Sequence, residues 1–311
     1  MGLVWSAAGG RGYTEQSLST SICVYPWLNP REAVRQHLVA PGRSVVGLRL
    51  LALAFLISAG VAFSRGGEAA AEKKLPLPGE IWKIDGRTAF LIPAAEPPAA
   101  GRPKPWVWYA PTLPPYPGDA ERWMFERFTL SGVAIAGIDV GESYGSPSGR
   151  DVFSALYAEL TDKRGYSRKP VLLGRSRGGL QLINWAADHP AQVAAFAGIY
   201  PVCNLASYPG LGKAAPAYGL TFEQLTADLA RHNPVDRLAP LAAARVPLFA
   251  IHGDVDRLVP LEANSGLLRD RYLALGGTIT LQIPPGQGHS MWPGFFQSEE
   301  LVAFVLKHAF R

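Results

Sequence analysis

Cysteine is nearly absent from this chain of 311 residues. Only Cys23 and Cys203 occur, and a chain processed near residue 71 keeps one of them, so no internal disulfide framework organises the mature fold and cysteine usage is silent on compartment. Charge is also scarce. Charged residues make up 18% of the sequence and no Lys/Arg block occurs, which argues against nucleic acid as a partner. There is no cluster with zinc-ligand spacing, and neither metal nor cofactor is expected. No uncharged apolar run reaches the roughly 20 residues that a spanning helix needs. What is abundant points elsewhere: 48% hydrophobic residues with 27 Pro and 33 Gly can build a large core and exclude a disordered tail or a coiled coil. One large domain or two small ones will fit.

The formal charge of +5 is concentrated at the start. Residues 1–71 hold six Arg and three acids, which leaves 24 basic and 22 acidic residues downstream. Within this leader, residues 50–63 form an uncharged stretch behind Arg43 and Arg49, the pattern of a secretory signal. Gly60 and Ala62, or Ala69 and Ala71, would suit a signal peptidase, so export to the periplasm or medium is expected. The alternative is an uncleaved anchor formed by 50–63, the one route to a membrane partner. Residues 1–42 exceed an ordinary n-region and read as an over-long gene start.

Residues 72–311 read as one domain. Two β-rich runs flank Asp85-Gly86 and predict a hairpin. Strands are then expected at 105–110, 132–140, 170–174 and 193–201, with helices at 119–131, 150–163 and 178–190. Unalternating apolar strands separated by helices predict an α/β architecture, a mostly parallel sheet covered on both faces. Residues 202–243 leave the pattern and are expected to form a small lid insertion with one helix, started by the capping-box pair Thr221 and Gln224. Strands at 246–253 and 277–284 and a helix at 298–308 close the domain.

Two segments match G-x-S-x-G, around Ser143 and around Ser176. A nucleophile elbow needs a strand before the serine and a helix at once after it. Residues 170–174 and 178–190 supply both for Ser176, whereas Pro147 and Gly149 are expected to prevent an immediate helix after Ser143. Ser143 is then a loop residue on the rim where open α/β sheets bind ligands. Glu142, Ser143, Tyr144, Arg175 and Trp292 are the candidate substrate contacts there. Asp254 and Asp256 follow a later strand, and loop reach favours Asp256 as the acid, with Asp254 free to cap the turn. His289, between the last strand and the last helix and flanked by Gly, is the candidate base. The other histidines, His37, His189, His232, His252 and His308, lie in the leader, at helix ends, in the insertion or at a strand terminus.

With the order Ser176, Asp256, His289, the chain resembles the α/β-hydrolase superfamily from about Ile81 onward. The acid loop and hairpin entry look most like its prolyl-oligopeptidase and acetyl-xylan-esterase side, a resemblance that makes Asp256, the second Asp of the loop, the acid. It also implies an oxyanion hole built from the Arg177 amide and a second donor. Where many members carry His-Gly, this chain has Ala110-Pro111, and proline has no amide, so the second donor is expected at Thr112 or Leu113. Ser176-Arg177 with Gly179 is also similar to the elbow of glucuronoyl esterases, which implies an Arg177 side chain that helps hold the oxyanion. The competing reading pairs Arg175 and Arg177 with acids such as Glu142 or Asp139.

The expected activity is that of a serine esterase acting on a small or carbohydrate-linked carboxylic ester through an acyl-enzyme. A prolyl-oligopeptidase-like peptidase is the runner-up, weakened by the want of a propeller-sized N-terminal domain. A catalytically silent binding protein is the third reading, which the ordered triad opposes.

Overall fold

The computed structural model describes residues 73–310 other than Pro97 and Ala100. The leader, its apolar stretch 50–63 and Cys23 lie outside the described residues. Among the described residues, no helix is long and apolar enough to cross a membrane.

The first strands of the described residues form the expected hairpin, β1 (Glu80–Ile84) and β2 (Arg87–Ile92). Asp85 and Gly86 both take positive φ, 48° and 78°, the backbone of a two-residue turn whose twist suits paired strands. The remaining strands are β3 (Trp106–Ala110), β4 (Ala134–Ile138), β5 (Val171–Arg175), β6 (Ala195–Ile199), β7 (Leu248–Ile251) and β8 (Ile279–Gln282). They form one sheet in the order β1-β2-β4-β3-β5-β6-β7-β8, antiparallel through β2·β4 and parallel from β4 to β8.

Strands β3 to β7 are buried along their whole length because helices cover both faces. Alternate residues serve the two cores. Trp106 and Trp108 join Phe153, Leu156, Leu182 and Trp185 on one side, under α2 (Pro147–Ala158) and α3 (Gly178–Asp188). Val107 and Tyr109 join Phe125, Phe128, Leu301 and Val305 on the other, under α1 (Arg122–Leu130) and the helix Glu299–Ala309. That last helix is capped by Ser298, whose hydroxyl accepts from the Leu301 amide at 3.1 Å.

Three expectations need correction. The helix after Ser143 is delayed, but Pro147 and Gly149 are part of it and do not break it: Ser146 is the N-cap of α2 and Pro147 its first residue, where a missing N–H costs nothing. Gly149 is there for space, since a Cβ would lie 2.5 Å from the Ser143 side chain. The insertion does carry the reciprocal Thr221–Gln224 cap on Phe222–Ala227, but it also contains the short helices Leu211–Ala214, Leu229–His232 and Ala239–Ala243. A further helix, Leu267–Ala274, links β7 to β8.

Candidate active site

Strand β5 ends at Arg175, Ser176 turns the chain with φ +49°, and α3 begins at Gly178. A non-glycine residue in the left-handed region is held there only by its surroundings. Ser176 donates its amide to the Ile199 carbonyl at 2.9 Å, and its own carbonyl accepts from the Gly179 and Val202 amides at 2.9 and 2.8 Å. Gly178 permits the turn by close approach, because a Cβ there would lie 2.1 Å from the Ala110 carbonyl oxygen. The Arg177 amide falls among the free donors at the start of α3.

The structure brings Ser176, His289 and Asp256 into one hydrogen-bonded chain. Ser176 Oγ lies 3.0 Å from His289 Nε2, and His289 Nδ1 lies 2.7 Å from Asp256 Oδ2. Asp256 Oδ1 accepts from the amides of Leu258 and Val259 at 3.0 and 2.8 Å. Asp254 instead accepts the Gly286 amide at 2.7 Å, which ties the acid loop to the loop before His289.

His252, set aside from sequence as a strand-terminal residue, turns out to touch the acid. It is fully buried, with Nε2 2.8 Å from the Val259 carbonyl and 3.3 Å from Asp256 Oδ2, and Nδ1 2.7 Å from Ser265 Oγ. A carbonyl can only accept, so Nε2 donates toward Val259 and Asp256. Burial opposes ionisation of Asp256, yet hydrogen bonds from His252, His289 and the Val259 amide outweigh it and hold the carboxyl well below the ordinary carboxylate range. A depressed native pKa stabilises the fold above the unfolded value near pH 4 and loses that contribution as pH falls below it. The Asp256→Asn protein should therefore show a flatter loss of stability between pH 5 and pH 2 than the parent, read from urea midpoints at each pH. His252→Ala, which removes one donor and leaves the 2.7 Å bond to His289, should cost about tenfold in kcat rather than the loss expected for the base itself.

A second buried network lies beneath the site. Tyr200, at the end of β6, packs against His289 with ring centroids 4.3 Å apart and ring planes tilted by 52°. Its hydroxyl accepts from Arg175 Nε at 3.1 Å, and burial pushes the phenol up to about 12. Arg175 Nη1 meets Glu121 Oε1 at 2.7 Å. Glu121, fully buried, also accepts from Tyr109 Oη at 2.8 Å and from the Gly118 amide at 2.9 Å. The expected partners of Arg175, Glu142 or Asp139, are thus replaced by an acid 54 residues upstream. Arg177 does pair with Glu142, at the exposed rim.

A cleft of about 240 Å³ opens over Ser176 and His289. Arg175, Arg177, Tyr200 and Ser290 line it together with Pro111, Tyr116, Tyr208, Leu258 and Met291. Of the candidate substrate contacts, only Arg175 lines this cleft. Glu142 is occupied with Arg177, and Trp292 packs edge-on against Phe295 at 5.2 Å, leaving its neighbour Met291 on the wall. Ser143 is buried against Gly149, and its hydroxyl has no partner. Tyr144 packs with Leu180, Val202 and Leu205 under the insertion. Thr112 turns its hydroxyl to the Tyr109 carbonyl at 3.2 Å, and the Leu113 carbonyl accepts from Lys73 Nζ at 2.8 Å. Lys73 also holds the Tyr116 carbonyl, at 2.7 Å, so it pins the loop that borders the cleft. A larger apolar groove of about 480 Å³ beside Leu77, Ile92 and Leu130 carries no nucleophile. Among the described residues, no group of three or more His, Cys, Asp or Glu is placed to hold a metal.

Tyr200, Tyr116, Tyr208 and Met291 escaped the sequence reading, as did the buried acid Glu121. The signal for Tyr200 was available: it ends a parallel strand, as Arg175 does, and ligands bind at such ends.

No protein-family model matches the chain, and no curated protein sequence does. Solved structures do. A puromycin-hydrolysing peptidase from Mycobacterium tuberculosis superposes on 74% of this chain at 14% identity with a TM-score of 0.58. Est1E from Butyrivibrio proteoclasticus matches 75% of it at 18% identity and 0.55, over 99% of its own length. An S-formylglutathione hydrolase from Agrobacterium tumefaciens matches 75% at 17% identity and 0.54, over 98% of its length. The chain spans 40% of the length of the puromycin-hydrolysing chains. By its strand order and by these likenesses, the chain has the α/β-hydrolase fold.

Proposed function

We propose that the chain is a serine hydrolase that cleaves a small or carbohydrate-linked carboxylic ester. The observation that carries this reading is the chain from Ser176 through His289 to Asp256, drawn from three strand ends on one rim of the sheet. In this mechanism the neutral His289 Nε2 takes the Ser176 proton as Oγ attacks the ester carbonyl. The Arg177 amide, with a second amide at Thr112 or Leu113, faces the developing oxyanion. Collapse expels the alcohol, which takes its proton from His289. Water, activated by the same imidazole, then releases the acid from the acyl-enzyme. Asp256 holds the imidazole in the tautomer that exposes Nε2 to Ser176 and stabilises the imidazolium that forms.

Likeness to a puromycin-hydrolysing peptidase supports a second reading, cleavage of an amide by the same machinery. A fluorophosphonate that labels Ser176, followed by a panel of para-nitrophenyl esters and aminoacyl para-nitroanilides, separates the readings. Ester turnover without anilide turnover supports the first. The converse supports the second, and no labelling at Ser176 refutes both.

The pairing of Arg177 with Glu142 bears on the oxyanion. A guanidinium engaged at the rim contributes little at the reacting carbonyl, so Arg177→Ala should leave kcat on para-nitrophenyl acetate within about threefold. A fall of about 10²-fold in kcat and kcat/KM together would assign the side chain to transition-state charge.

A further inference from the structure

Arg175 is an unusual neighbour for a nucleophile. It directly precedes Ser176, is 6% exposed, and still lines the cleft. Its guanidinium faces the Tyr116 and Phe296 rings at 4.4 and 5.1 Å, so only its edges can donate. Two edges are well served: Nε meets the Tyr200 hydroxyl and Nη1 meets the Glu121 carboxylate. The third is not. Nη2 has only the thioether of Met291, at 2.9 Å, and a thioether is a weak acceptor. Met291 is also 52% exposed, whereas Glu121 and Tyr200 are buried, so it is the one partner that an incoming group can displace.

The charges that line the cleft have one sign. Arg175 and Arg177 line it, and no carboxylate does. Glu121 lies behind Arg175 in the core, and Glu142 is on the rim beyond the lining residues. An anionic oxygen that reaches Arg175 Nη2 would replace a poor acceptor with a charge-assisted hydrogen bond.

We propose that the cleft selects substrates that carry a carboxylate close to the scissile carbonyl, with Arg175 Nη2 as the anchor and Met291 as the group it displaces. The selectivity rests on the hydrolase reading above, but the anion site does not. Half-esters of short dicarboxylic acids are the simplest substrates of this class. A charge-assisted bond of this kind corresponds to about tenfold or more in affinity.

The test compares para-nitrophenyl hemisuccinate with its methyl-capped diester, which has the same acyl chain without the charge. Calorimetric titration with succinate and with succinamide gives a second readout that needs no catalysis. The parent protein should favour the hemisuccinate about tenfold or more in kcat/KM, chiefly through KM, and should bind succinate but not succinamide. Arg175→Gln should erase both preferences. Because that variant disturbs a buried ion pair, Met291→Glu supplies the independent check at an exposed position: its carboxylate should occupy Nη2, bring the ester ratio to one or below, and abolish succinate binding. Succinate binding without turnover of either ester would leave the anion site standing and refute the hydrolase reading. Turnover of both esters at equal kcat/KM, or a charge preference that survives Met291→Glu, would overturn the proposal.

Discussion

Ser176→Ala is expected to lower kcat by about 10³-fold or more and to abolish fluorophosphonate labelling. The exchange leaves the elbow intact, since Ala meets the same φ of +49° that Ser already tolerates. The loss therefore reports chemistry and not folding. His289→Ala should match it within an order of magnitude, because a nucleophile and its base act as a unit and their losses do not add. Ser143→Ala is the control. Ser143 belongs to the rival G-x-S-x-G segment, but its hydroxyl is buried without a partner and away from the cleft, so ester turnover should stay near the parent level. Labelling that persisted in Ser176→Ala and vanished in Ser143→Ala would reverse the assignment.

Glu121→Ala is expected to give the largest loss of stability. It would strand the Arg175 charge, 94% buried, beside the Tyr109 and Tyr200 hydroxyls, and breaking a buried pair from one side costs about 3–5 kcal/mol. In a domain of this size that is a fall in Tm of about 6–20 °C. Replacing both partners, as Glu121→Leu with Arg175→Met, removes the uncompensated charge and should recover much of the loss. Calorimetry of the two proteins decides the matter. A Glu121→Ala protein that melts within about 2 °C of the parent would show that the pair does not stabilise the fold.

Some of this arrangement was legible in the sequence because it depends on neighbours. The apolar runs of β3, β5, β6 and β7 announce strands buried on two faces, and Ser176 and Asp256 each follow one, whereas His289 follows the partly buried edge strand β8. Ser176 stands out from Ser143 because the residues beside it form strand and helix at once. Less was legible where partners are distant. Glu121 and Arg175 are 54 residues apart and meet because the short turn Asp119–Glu121, which leads into α1, reaches the end of β5, a fact of topology that no local pattern carries. Pro147 reads as a breaker, yet its position as the first helical residue reverses its meaning. The helix Leu267–Ala274 places Arg269, Asp270 and Arg271 mid-span, which blurs its apolar face although Leu268 and Tyr272 are buried. Trp292 follows His289 closely in sequence, but its ring turns to Phe295.

Strand β8 is four residues long, only partly buried, and pairs with β7 alone at the edge of the sheet, and it leads into the loop that carries His289. His289 thus hangs from an edge strand with little buried surface to resist fraying, whereas Ser176 is seated at the centre of the sheet. Edge elements open locally at a fraction of the free energy of global unfolding. Heat inactivation of this protein is therefore expected to begin as a reversible detachment of one margin, which would silence Ser176 while the cores around Trp108 and Phe125 are still packed.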